Sequence, residues 1–151
     1  MKKLILLAAL STVLSAHTCN KKTVEATGSS NAAEGVKKIG SIMGTKWVLQ
    51  TLKGNAVSMP DGVAAPWLKL AEGGTSIEGS GGCNALIGSF DLQGDKISFP
   101  GLGATKKYCE ALMPTESAFI GALKKVDQFK MDGPLLKLMS DGAELASFKA
   151  E

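Results

Sequence analysis

The chain has no arginine: all 17 of its basic residues are lysines, and its one histidine is His17. Without a histidine in the body of the chain, Ser-His-Asp and Cys-His nucleophilic catalysis have no base. The usual histidine-bearing zinc sites have no ligand either. Without arginine, the planar fork that grips phosphate or guanine in two places is missing. Aromatic residues are only 5% of the chain, which favours an interior filled by side chains over a cavity holding an apolar ligand. The longest run of apolar and small residues, Leu4 to Ala16, falls short of the roughly 20 residues that span a bilayer. No cofactor is expected.

That run follows Lys2 and Lys3, and a charged start before a short apolar stretch reads as a secretory signal, residues 1–18. Cys19 comes next, followed by "NKKTVEATGSSNAAEG". This is where a bacterial lipoprotein carries its lipid-modified cysteine, although "AHTC" departs from the usual pattern before that residue. Lipidation of Cys19 is the reading taken. A competing cut after Ser15 or Ala16 would release a soluble protein. Residues 19–40 are polar and lack aromatics, so they read as a flexible tether. The expected product is an exported outer-membrane or cell-surface lipoprotein, held to the membrane through its N-terminal lipid. Loss of Lys2 and Lys3 brings the formal net charge from +3 to about +1, which leaves no basic footprint for nucleic acid.

From Thr45 onward, short apolar bursts alternate with Gly, Pro, Asn and Asp. "TKWVLQTL", "WLKLA", "TSIEG", "ALIGSFDL", "DKISF", "QFKMD", "LLKLMS" and "AELASFKA" read as strands. Alternation is visible at Ile97 and Phe99, Phe129 and Met131, and Leu136 and Leu138. The turns "KGN", "EGG", "QGD", "DGP" and "SDG" carry hairpin chemistry. One segment differs. "PTESAFIGALKKV" spaces Phe119, Leu123 and Val126 as a helix does, with Glu116 in its first turn and Lys124 and Lys125 at its end. The expected fold is mainly β: one domain over residues 41–151, a small antiparallel β-barrel or strongly curved sheet of about eight strands with one helix. A monomer is expected.

The least ordinary stretch is "GSGGCNALIG", Gly79 to Gly88. A phosphate loop would need a helix after its glycines, and here a strand pattern follows. A reactive thiol at Cys83 would need a neighbouring cation such as Lys106 or Lys107 to lower its pKa. Cysteine counting favours a third reading. If Cys19 carries lipid, Cys83 and Cys109 remain as an even pair in a compartment that lets them oxidise. That bridge would contribute roughly 3.5 kcal/mol by loop entropy. Gly81 and Gly82 would serve close backbone approach or positive φ, and Asn84 would hydrogen-bond backbone in the turn. Two carboxylate couples, Asp91 with Asp95 and Asp132 with Asp141, could be imagined as acid and base. All four sit in turn sequences where Asp is ordinary, so no catalytic residue is assigned and no enzyme is expected.

Several of these pieces occur together in one family. "GTKWVLQTL", "IEGSGGCNALIGSFDLQGDKISF", "GATKKYC", Glu116 before "AFIGAL", "VDQFKMDGPLLKLMSDGAEL" and Phe148 resemble the META domain family, which includes heat-shock lipoproteins. The resemblance covers essentially the whole folded part. It implies a compact antiparallel β-barrel with one helix and no known catalytic residues. The layout of anchor, tether and domain is also similar to that of the potempins, surface lipoproteins of Bacteroidetes that inhibit secreted peptidases.

A tethered binding domain is thus expected, its partner a protein such as a secreted peptidase. Inhibition needs a rigid loop and no catalytic group. Two loops are candidates. "NAVSMPDGVAAPW" offers Met59, Pro60, Asp61 and Val63, and "KKYCEALMP" offers Tyr108, Leu112 and Met113. The bland alternative for each is a connecting loop with buried apolar anchors. An envelope-maintenance role is the other functional class.

Overall fold

The computed structural model describes residues 42–151. The signal, the tether and Cys19 lie outside the described residues. The first hairpin starts with β1 (Lys46–Leu52), which turns through Lys53 and Gly54 into the two-residue β2 (Asn55–Ala56). Both turn residues have positive φ, 51° and 78°, the backbone that matches the twist of a tight hairpin. A longer loop leads to β3 (Trp67–Leu70), paired across "EGG" with β4 (Ser76–Ser80). The chain returns through β5 (Ala85–Ser89), β6 (Asp91–Gln93), β7 (Lys96–Ser98) and β8 (Gly103–Ala104). Helix α1 (Met113–Leu123) follows, then the meander β9 (Gln128–Asp132), β10 (Leu135–Ser140) and β11 (Ala143–Ala150).

All eleven strands form one antiparallel sheet in the order β6-β7-β9-β10-β11-β1-β3-β4-β5-β8, with β2 beside β1. The sheet curls into a half-barrel. Alternate residues of most strands point inward: Trp47 and Leu49, Leu68 and Leu70, Ile77, Leu86, Ile97, Phe129, Leu136 and Leu138 are all buried. Helix α1 closes the concave side. Phe119 is buried there, 6.0 Å between ring centroids from Phe148 of β11. Burying such side chains contributes about 1.5–3 kcal/mol each. Trp47 satisfies its indole N–H on the carbonyl of Ile42, at 2.9 Å.

The mainly β, strongly curved architecture agrees with the sequence reading, and three details differ. "ALIGSFDL" is not one strand. It breaks at Phe90, which is buried between β5 and β6. The Phe90 amide donates to the Thr75 carbonyl and the Ser89 amide to the Pro100 carbonyl, so the chain turns the corner from one end of the sheet path to the other. This split, together with the two-residue β2 and β8, raises the strand count above eight. The third difference concerns α1, which begins at Met113 with Leu112 at its N-cap and ends before Lys124. Val126 is buried but lies beyond the helix, and its amide bonds the Leu123 carbonyl.

Candidate functional site

"GSGGCNALIG" is the β4–β5 hairpin. Ser80 pairs with Ala85, and the amide of Gly81 donates to the Asn84 carbonyl at 2.8 Å. Four residues, Gly81 to Asn84, make the loop. Cys83 is bridged to Cys109, with 6.1 Å between their Cα atoms, which ties the loop to the segment entering α1.

The centre of this region is Glu116, which the sequence places in a first helical turn and among the pieces of the family resemblance. Glu116 is 3% exposed, and its side chain reaches from α1 into the hairpin loop. It accepts from the Asn84 amide at 2.7 Å, the Cys83 amide at 3.3 Å and the Asn84 side-chain amide at 2.6 Å. None of the ion pairs among the described residues includes Glu116. Its charge is met by these donors and by its place in the first helical turn.

Asn84, 2% exposed, has all four of its side-chain hydrogen-bond positions filled. Its Nδ2 donates to Glu116 and to the Lys107 carbonyl, and its Oδ1 accepts from the Thr105 hydroxyl and the Lys107 amide. Gly81 is required by this contact, and Gly82 by its own backbone conformation. A Cβ on Gly81 would lie 2.5 Å from Glu116 Cγ, and Gly82 has φ +106°.

Both candidate loops meet this knot. A Cβ built on Gly82 would come within 3.1 Å of Met59 Cε, so the first loop rests on the hairpin. Its opening residues line a cleft of about 320 Å³ together with Pro114, Thr115 and Ala118 of α1. Pro60 and Asp61 are exposed, and Met59 and Val63 are half-buried. Cys109, bridged to Cys83, anchors the second loop to the same hairpin. There Tyr108 is 79% exposed, while Leu112 and Met113 are half-buried. Leu112 and Met113 also donate their amides to the Cys109 carbonyl.

The carboxylate couples considered from sequence do not assemble. Asp95 accepts from the Gln128 side chain at 2.5 Å, and Asp132 pairs with Lys137 at 2.8 Å. Asp91 and Asp141 are exposed. Among the described residues no three metal-ligating side chains of the His, Cys, Asp and Glu types come together, and no helix is long and apolar enough to cross a membrane. The buried polar side chains Asn84 and Glu116 are engaged with each other and with loop backbone. These features describe a disulfide-stapled β half-barrel that presents loops around a braced turn.

A family profile of the META domain matches residues 40–151, and the chain belongs to that family. It is similar to a protein from Burkholderia xenovorans solved by NMR, at 25% identity and a TM-score of 0.59, over 97% of this chain and 99% of that one. A second NMR structure matches at 21% identity and a TM-score of 0.58, over 73% and 92%. The crystal structure of a DUF4847 family protein from Bacteroides vulgatus matches at 16% and a TM-score of 0.51, over 76% and 96%. The last two likenesses show the fold alone. No curated protein matches.

Proposed function

We propose that this chain is an exported lipoprotein, anchored through Cys19, whose half-barrel is a rigid, non-catalytic protein-binding domain. We further infer that it inhibits secreted or surface peptidases by inserting a loop into their active-site cleft. One observation carries this reading: both candidate loops are fastened to one braced turn. The Met59 methyl lies against Gly82, and the Cys83–Cys109 bridge ties the Tyr108 loop to the same turn. A loop held in this way loses little conformational entropy on binding and resists the distortion that cleavage requires.

The test is direct. The purified protein should form a one-to-one complex with a peptidase secreted by the same organism and should inhibit it. Tyr108→Ala should weaken that complex at least tenfold if the aromatic is an interface anchor. Slow degradation of the protein across a broad peptidase panel, with no complex formed, would refute inhibition. In that case a gene deletion that alters envelope integrity without altering extracellular proteolysis would favour envelope maintenance.

A further inference from the structure

Among the described residues the sheet path ends at β8, which pairs there with β5 alone. The Thr105 amide donates to the Ala85 carbonyl, and Gly103 faces Ile87 two residues earlier in the same ladder. In an antiparallel ladder, residues alternate between bonding the neighbouring strand and facing away from it. The amides and carbonyls of Leu102, Ala104 and Lys106 therefore face the open edge.

That edge fronts a groove of about 420 Å³. Its far wall is one face of α1, Met113, Ser117 and Ile120, spaced three, four and seven residues apart, continued by Lys124 at the helix C-cap. A strand edge opposite a helix face is the geometry in which an extended peptide adds to a sheet. The groove has an apolar base in Leu102, Ala104, Met113 and Ile120, and a cationic border in Lys106, Lys107 and Lys124. Glu116 also lines it, but its carboxylate is taken up by the hairpin donors. Tyr108, 79% exposed, follows this edge in sequence and also lines the groove.

We propose that the β8–α1 groove binds an extended segment of a partner protein by strand addition, and that this segment alternates acidic with apolar residues. Main-chain bonds to Ala104 and Lys106 hold the added strand. The apolar residues meet Met113 and Ile120, and the acidic ones meet Lys106, Lys107 and Lys124. The lysines also argue against a second copy of this chain, because like charges on two facing edges repel. The inference does not depend on the partner's being a peptidase.

The probe is a pool of eight-residue peptides alternating Glu or Asp with Val, Ile, Leu or Phe, titrated into the full chain and followed by amide hydrogen exchange. Binding members should slow exchange at Ala104 and Lys106 at least tenfold, and affinity should fall severalfold between low and high salt. Lys106→Glu with Lys107→Glu changes two exposed side chains. It should weaken binding at least tenfold and transfer preference to peptides carrying Lys in place of the acids. Ala104→Pro, which removes one outward amide at an edge where proline is tolerated, should weaken binding independently of charge. Four results would overturn the proposal. They are no binding by any member of the pool, protection at the opposite edge strand β6 (Asp91–Gln93), equal binding of Lys-bearing peptides, and a dimer that protects the same amides without peptide.

Discussion

Asn84 and Glu116 form the contact on which the candidate surface depends, and substitutions there give the sharpest outcomes. Glu116→Ala leaves two backbone amides and a side-chain amide without their acceptor, which should cost about 2–4 kcal/mol in denaturant unfolding. Asn84→Asp is more diagnostic. It sets a second carboxylate where Nδ2 now lies 2.6 Å from Glu116 Oε1. Two carboxylates at contact raise the proton affinity of the pair. The folded variant then takes up a proton that the unfolded chain does not, so its stability should rise as pH falls from 7 toward 5. Asn84→Ala should show no such recovery. Gly81→Ala drives a Cβ into the pinned Glu116 side chain and should cost about 1–3 kcal/mol. Much of this turn was legible in the sequence. Two glycines beside an Asn and a Cys announce positive φ, close approach and backbone hydrogen bonds. The partner was not legible, because Glu116 lies 32 residues away from Asn84 and local patterns carry no information at that distance. An acid in a first helical turn has an ordinary local explanation, and only the fold shows what else it holds.

Hairpins and strands were legible because each burst of alternating apolar residues ends in turn chemistry. Phe90 is the exception. Its apolar spacing continues the β5 pattern, so the bend that sends the chain to β6 is decided by packing rather than by a local signal. The Cys83–Cys109 bridge joins two elements, the β4–β5 hairpin and the entry to α1. Replacing both cysteines with Ala should lower stability by roughly 3.5 kcal/mol, read as a lower denaturant midpoint with the fold retained. A surface pair gives a contrasting case. Lys137 of β10 reaches Asp132 of β9 and Glu144 of β11. The Lys137 hydrogen bond, then its charge, holds the Asp132 carboxyl below its usual 3.8. The hydrogen bonds that Lys137 donates to Asp132 and Glu144 hold its ammonium above 10.5. The Asp132 contribution is present above pH 3.8 and lost as pH falls through its lower folded value, whereas that of Lys137 is present below 10.5 and lost as pH rises past its higher folded value. Lys137→Met should therefore flatten the stability profile near those two limits. It should change mid-range stability little, because exposed pairs contribute little.

At the scale of the whole molecule, the half-barrel serves to hold one end still. The curled sheet and α1 bury a single core. In the proposed role, the hairpin, the disulfide and the Glu116 contact brace the Met59 and Tyr108 loops against it. Family and fold class were legible because the fingerprint pieces span the whole folded part. A partner was not, since the proposed binding surface, built from small apolar residues and lysines, looks locally like any solvated loop. The most direct test of the account compares the intact protein with the Cys83→Ala/Cys109→Ala variant as inhibitors of peptidases secreted by the same organism. Intact protein should inhibit at one-to-one stoichiometry, and the folded double variant should lose at least tenfold in potency. Equal potency of the two forms, or no inhibition by the intact protein, would contradict the claim that a braced loop end is the working surface.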